Sequence, residues 1–347
     1  MPSTSKKLAG TGPAIVYGDA TVNGFPSSAP DPLTRASVGE LEGSSAPVRL
    51  TQGMLAGRRE DAVSVVDVDE DAPSAEPAGD YDLLEMGDAS LTRLERAQIR
   101  LVRASLRPGV LDSGIRALQR SVGQWWIRAA TARLRHVHGI ERIPPWDPAG
   151  SLVLVANHRS FFDLYVTAAE LVAHGLPQRI LFPVRSKFFY DHPLGPVVNG
   201  VMSFFAMYPP IFRERRRAAL NLASLDEAAA LLRRGGFFVG LHPEGTRKTD
   251  DDPYTFLPAQ SGVGRVIHKA RVPVIPVFVN GLGNDLPRQV AGGIAGTAPP
   301  IHMVFGGPID LAALLRAPGG PRVYRRIAEQ CIEAIAGLGR EEKALRR

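Results

Sequence analysis

The amino-acid sequence predicts an α/β fold: a mixed, largely parallel sheet flanked by helices, preceded by basic amphipathic helices and a disordered N-terminal tail. Three observations carry that expectation. First, five short apolar runs are bounded by glycine, proline or polar residues: SLVLVA at 151–156, RILFPV at 179–184, GFFVGL at 236–241, VPVIPVFV at 272–279 and IHMVFG at 301–306. Runs of that length suit buried strands. Second, segments with helical spacing lie between them, at 161–174, 214–234 and 260–270, with a last one from about 322 to 338. Strands alternating with helices predict crossover connections and hence parallel pairing. Third, the texture of residues 1–90 is unlike the rest.

Residues 1–90 are rich in Pro, Gly, Ser and Ala and include the acidic run DVDEDAPSAEPAGDYD. Apolar residues there are sparse and without period, so little burial is available to offset the entropy of ordering. The first residues, MPSTSKKLAGTGPAIVYG, lack the apolar core of a secretory signal. This stretch holds six Lys/Arg against fifteen Asp/Glu, a charge of −9, which leaves +15 for residues 91–347 in a chain of net +6. A body that basic attracts polyanions: nucleic acid, an anionic membrane surface or phosphorylated small molecules. The single cysteine, Cys331, excludes an intrachain disulfide and a cysteine-based zinc site.

Residues 91–138 form a second region. LTRLERAQIRLVRASLR places Leu91, Leu94, Leu101, Val102 and Leu106 at near-helical spacing, with Arg93, Arg96, Arg100, Arg103 and Arg107 between them. The next helix-like stretch, 113–137, carries Trp125 and Trp126 among arginines. Such helices suit a membrane interface, where rings sit at headgroup level and arginines meet anionic lipid. They equally suit packing of a Leu/Trp face on the domain at 139–347. Within that domain, residues 194–212 carry no charge but hold Gly195, Pro196, Gly200, Pro209 and Pro210, poor material for a spanning helix. They read as a connection, either in the core or walling a tunnel for an acyl chain.

Chemistry concentrates at two strand ends, where α/β sheets bind ligands. VANHRSFFD puts His158 and Asp163 at the first; a histidine is a proton acceptor near neutrality, and Asp163 can orient it. GLHPEGTRK puts a tight turn, Glu244, Thr246 and the phosphate-matching fork of Arg247 at the second. In VPVIPV, Pro276 interrupts a strand, which predicts an edge or a position lining the site. His-Glu-x-x-His and clustered Cys/His are both missing from the sequence, so no metal or other cofactor is expected.

In this order, the motifs resemble those of the glycerolipid acyltransferase family, of the 1-acyl-sn-glycerol-3-phosphate acyltransferase type. Asn157, His158 and Asp163 match its Asn-His-x4-Asp motif, Pro243 to Arg247 its Pro-Glu-Gly-Thr-Arg motif, and Val272 to Val277 its proline-containing strand. Lys187, Pro193, Gly195 and Arg213 correspond to the remaining motif, with Arg215, Arg216 and Arg217 as rivals for the arginine. The resemblance spans about residues 140–310. It implies a glycerol-3-phosphate acyltransferase-like fold and direct transfer from acyl-CoA or acyl carrier protein, as co-substrate, to the hydroxyl of lysophosphatidic acid, giving phosphatidic acid. His158 would be the general base and Asp163 its partner. Asn157, Lys187, Arg213, Glu244, Gly245, Thr246, Arg247 and Pro276 would bind substrate. The enzyme would sit peripherally on the cytoplasmic face of a membrane. Two departures stand out: the gap from Gly195 to Arg213 is long, and Gln260 occupies the place where the family often has lysine.

Other readings compete. The glycine pairs in SGVGR and GLGND lack a phosphate-loop lysine and a full dinucleotide fingerprint. The arginines interleave with apolar helix positions and no nucleic-acid-reading motif is present, so nucleic acid is not an expected partner. The remaining alternatives are an acyltransferase using glycerol 3-phosphate or another lysophospholipid, and a non-catalytic membrane-associated protein retaining the fold.

Overall fold

The computed structural model of the protein describes residues 82–87 and 89–346. Along the chain, α1 (Leu83–Met86), α2 (Arg93–Ser105), α3 (Val110–Arg120) and α4 (Val122–Thr131) precede β1 (Arg135–His138). Then come β2 (Leu152–Ala156), α5 (Asp163–Ala173), β3 (Arg179–Arg185), the short α6 (Ser186–Phe189) and α7 (Gly195–Val197), and β4 (Met207–Ile211). The chain continues through α8 (Ala218–Arg234), β5 (Phe237–Leu241), α9 (Ser261–Ala270), β6 (Val274–Asn280), α10 (Leu286–Ala295), β7 (Ile301–Phe305), α11 (Ala312–Arg316) and α12 (Pro321–Leu345).

The strands form one seven-stranded sheet in the order β1-β7-β6-β2-β5-β3-β4. Only the β6–β7 pair is antiparallel. Each of the five apolar runs forms a strand. The reason they read as continuous runs is that β2, β5 and β6 are buried at every position, with helices on both faces. α9 packs on both α8 and α12, which in turn lie on the sheet, while α4 lies along α5.

Two strands have no apolar run behind them. β1 is the half-exposed Arg-His-Val-His at the sheet edge, and β4 is Met-Tyr-Pro-Pro-Ile at the other edge. β4 lies inside the uncharged segment 194–212, where prolines argued for a connection; an edge strand tolerates them because one side needs no donors. The same rule misplaces Pro276. It is buried in β6, between β7 and β2, and not at an edge. Its carbonyl accepts from Gly306 N, just past the end of β7, so its missing N–H faces the point where that ladder stops. The pairing with Val155 on the β2 side loses no donor.

The helices before the sheet are tied into it. Thr92 and Glu95 form a reciprocal capping box at the start of α2, and Ile99, Val102 and Leu106 are buried. Arg103, read from the sequence as part of a basic face, instead joins Asp82, Glu227 and the Tyr208 hydroxyl. Arg179, fully buried, pairs with Asp112 of α3 at 3.1 Å, and Arg217 pairs with Glu95 at 2.6 Å. Both uses foreseen for this region therefore have a face available. One side packs inward, while Leu111, Leu118, Val122 and Trp125, the last 70% exposed, leave an apolar flank on α3 and α4. Leu194, Val197 and Val201 are exposed along the uncharged segment as well. Among the described residues no helix is long and apolar enough to cross a membrane.

The end of the tail expected at 1–90 falls within the described residues and includes α1. Asp82 caps α1 through Leu84 N and Glu85 N, and Leu83 is completely buried in the core. One leucine on one helical turn is too short a signal for periodicity to register. Residues 1–81 lie outside the described residues.

Candidate active site

β2 and β5 are parallel neighbours, with Val155 opposite Leu241, so the loops that follow them emerge side by side at the carboxyl edge of the sheet. The first loop carries His158 and the second His242 to Arg247. Glu244 joins them. Its Oε1 accepts from His158 N at 2.9 Å and its Oε2 from Leu257 N at 2.8 Å. Lys248 N in turn donates to His158 O at 3.0 Å. The main chain around His158 is thus fixed from both sides by the second loop.

Asp163 opens α5 and is 1% exposed. Its Oδ2 accepts from Arg159 N at 2.8 Å and Ser160 N at 2.7 Å, so the carboxylate organises the loop that carries the histidine. His158 Nδ1 lies 3.5 Å from that same Oδ2, and neither Nδ1 nor Asp163 Oδ1 has a hydrogen-bond partner. The His158 side chain keeps 19% of its surface exposed. Burial pushes its pKa down to about 3, helped by the charges of Arg247 and Arg213. Burial raises Asp163 to about 6, against the pull of His242 and the loop amides. At neutral pH this is an ionised carboxylate beside an uncharged imidazole, the state needed to take up a proton.

His242 was quoted in the sequence motif without a role. Its ring stacks on His158, with centroids 3.8 Å apart and planes at 8°. Ligand atoms of His158, Asp163 and His242 lie within 4.8 Å of one another. A shared ion would have to sit in the plane of each imidazole, about 2 Å from its nitrogen. Two nearly parallel planes this far apart have no such common point, so the set as placed does not fit a metal.

The other motif residues divide into two groups. Asn157 is buried and both ends of its amide bond Val279, through Nδ2 to the carbonyl and Oδ1 from the amide, each at 2.8 Å. Like Glu244, it spends its polar atoms on backbone groups and so braces the loops. Gly245 turns at φ +67, where a Cβ would meet Gln260 Cγ at 2.7 Å. The position where lysine is expected thus abuts the second motif, with Thr246 half-buried beside it. Arg247 is exposed, and its Nη1 donates to Asn284 Oδ1 at 2.6 Å. Arg213 follows β4, exposed, and its charge reaches His158. Among its rivals, Arg217 is committed to Glu95 and stacks over Phe212. Lys187 lies on α6 beyond β3, exposed, with its charge acting on Asp191. Cys331 is buried in α12, its thiol pushed up to about 12 by burial.

Besides His242, two residues escaped the sequence reading because their contacts are long-range. Arg159 ties down the strap after the second motif through Asp250 Oδ1 at 2.5 Å and Thr255 O at 3.3 Å. Asn284 accepts from both Arg247 and Phe161 N.

The family model described as Acyltransferase matches residues 134–280, which include His158, Asp163 and the Pro243–Arg247 loop. Over 185 residues the chain is 33% identical to a 1-acyl-sn-glycerol-3-phosphate acyltransferase of Chlamydomonas reinhardtii, covering 51% of this chain and 48% of that protein. Over 156 residues it is 28% identical to the chloroplastic 1-acyl-sn-glycerol-3-phosphate acyltransferase BAT2 of Brassica napus, covering 45% and 40%. The match therefore spans less than half the length of either relative. The crystal structure of the 1-acyl-sn-glycerophosphate (LPA) acyltransferase PlsC from Thermotoga maritima aligns with a TM-score of 0.44 at 20% identity, covering 71% of this chain and 88% of that one. Residues 134–280, with both motifs inside them, are thus similar to the family described as Acyltransferase.

Proposed function

We propose that the protein transfers an acyl group from a thioester, acyl-CoA or acyl carrier protein, to the free hydroxyl of lysophosphatidic acid. The observation that carries this is His158 Nδ1 3.5 Å from Oδ2 of the buried Asp163, with the cations of Arg247 and Arg213 close enough to act on the ring. With Nδ1 turned to Asp163, His158 takes the hydroxyl proton on Nε2. The substrate oxygen attacks the thioester carbonyl, the tetrahedral oxyanion collapses, and the thiolate leaves with the proton from the imidazolium. Arg247, Arg213 and Thr246 face the acceptor's phosphate, with Lys187 further out. Positioning and charge complementarity supply much of the rate. Neither a metal nor a covalent acyl-enzyme enters this scheme.

A free-thiol release assay tests it. Purified protein receives palmitoyl-CoA with lysophosphatidic acid, glycerol 3-phosphate or lysophosphatidylcholine. Release is expected to depend on lysophosphatidic acid. Release with another acceptor alone replaces the headgroup assignment, for which Gln260 in place of lysine is the sequence reason. Silence with all three, and with an acyl carrier protein thioester, removes the reading in favour of a fold kept for membrane binding.

An acceptor that partitions into lipid needs an enzyme at the bilayer. The exposed Leu118, Val122 and Trp125, beside exposed Arg120 and Arg128, fit peripheral docking on an anionic surface, in keeping with the cytoplasmic face of a membrane. Trp125→Ala with Val122→Ser is expected to lower sedimentation with vesicles of 30 mol% anionic lipid by about tenfold, leaving thermal stability unchanged. Equal binding by the double variant places the contact elsewhere.

A further inference from the structure

We propose that His242 is a positioning residue for the transfer: its ring face holds the His158 imidazole flat beside Asp163 and stays uncharged while His158 carries the proton. This rests on the acyl-transfer reading above.

The first support is geometric. The two rings lie 3.8 Å apart and 8° from parallel, a full face-to-face contact. The carboxylate by itself sets the ring orientation at His158 weakly. Its Nδ1 has no hydrogen-bond partner, and Asp163 Oδ2, 3.5 Å away, is already engaged by two loop amides. A base whose orientation is not fixed by its carboxylate needs another restraint, and the stack is one.

The second support is that His242 is itself well anchored. It follows β5 directly, and its carbonyl accepts from Gly245 N at 2.9 Å. Its Nδ1 lies 3.0 Å from Ala156 O. A carbonyl only accepts, so Nδ1 carries a hydrogen. The partner is the last residue of β2, two before His158, so both rings are referenced to the same strand end.

The third support is electrostatic. During transfer the substrate O–H bond breaks and an N–H bond forms on His158; His242 gains and loses no proton. A neutral aromatic face beside the new imidazolium attracts it, whereas a second cation there would repel it. Burial and the neighbouring His158 hold His242 down to about 3, against the pull of Asp163, so the resting ring is neutral.

The test uses the full chain with two variants, His242→Phe, which keeps a flat π face, and His242→Leu, which removes it. Thiol release is read as kcat and KM, and the histidine ring signals are followed by NMR with 13Cε1-labelled histidine across pH. His242→Leu is expected to lower kcat by about tenfold with KM changed less than about twofold. His158 is also expected to lose its single tautomer in that variant. His242→Phe should recover most of both. Wild-type kcat and an unchanged His158 signal in His242→Leu overturn the proposal; so does a loss in His242→Phe as large as in His242→Leu, since the ring face would then not be what matters. Wild-type protein that releases no thiol with any acceptor defeats the acyl-transfer reading instead. The NMR arm then still decides whether His242 orients His158.

Discussion

Replacing His158 with alanine is expected to reduce thiol release by about a thousandfold or more while leaving the fold intact. The ring is attached to the structure through its backbone, which Glu244 Oε1 and Lys248 N hold independently of the side chain. Circular dichroism and thermal melting at pH 8 should therefore match wild type closely. Acid behaviour supplies a second readout. The folded pKa of His158 is about 3, below its ordinary 6.5, so the folded state resists protonation. Stability from keeping the ring neutral is present above pH 6.5 and is lost as pH falls toward 3. The alanine variant lacks that loss and should melt less steeply with acid between those limits. Normal thiol release by His158→Ala removes the base from the mechanism. A collapsed fold at pH 8 would instead assign the ring a structural role.

Much of the fold was legible because a parallel sheet buried on both faces writes itself as uninterrupted apolar runs, and β2, β3, β5, β6 and β7 each have one. β1 and β4 were not, since an edge strand needs neither an apolar run nor a full set of donors: Arg-His-Val-His and Met-Tyr-Pro-Pro-Ile satisfy one neighbour only. The site was legible in its motifs and less so in its division of labour. Sequence order places Asn157, His158, Glu244 and Arg247 together but cannot say which side chains turn inward. Asn157 spends its amide on Val279 and Glu244 spends both oxygens on backbone N–H groups, so both side chains hold the loops, a role that the motif alone does not reveal. His242 was hidden for the converse reason. A histidine before a proline turn has no spacing signature, and only the lateral pairing of β2 and β5 brings it onto His158.

Asp163→Asn separates chemistry from stability, because the two should move in opposite directions. For activity, the amide carries no charge to stabilise the imidazolium on His158, and thiol release is expected to fall by about a thousandfold. In the wild type the same logic places an acid limb in kcat near pH 6, where the carboxylate of Asp163 takes up a proton and the dyad loses its anion. For stability, the carboxyl has a folded pKa of about 6 against an ordinary 3.8, so the folded state holds the proton more tightly than the unfolded chain. That contribution is fully present below pH 3.8 and is lost as pH rises through 6, which means the ionised group burdens the fold at neutral pH. An asparagine can still accept from Arg159 N and Ser160 N through its Oδ1, so the loop keeps its cap. Tm of Asp163→Asn should therefore exceed wild type by roughly 3–6 °C at pH 8, and the difference should close as pH is lowered through 6 toward 4. A variant that melts lower than wild type at pH 8 would mean that the charged carboxylate is held favourably by the loop amides and His242, and that its burial is not the dominant influence. Retained thiol release would mean that His158 needs no anion beside it.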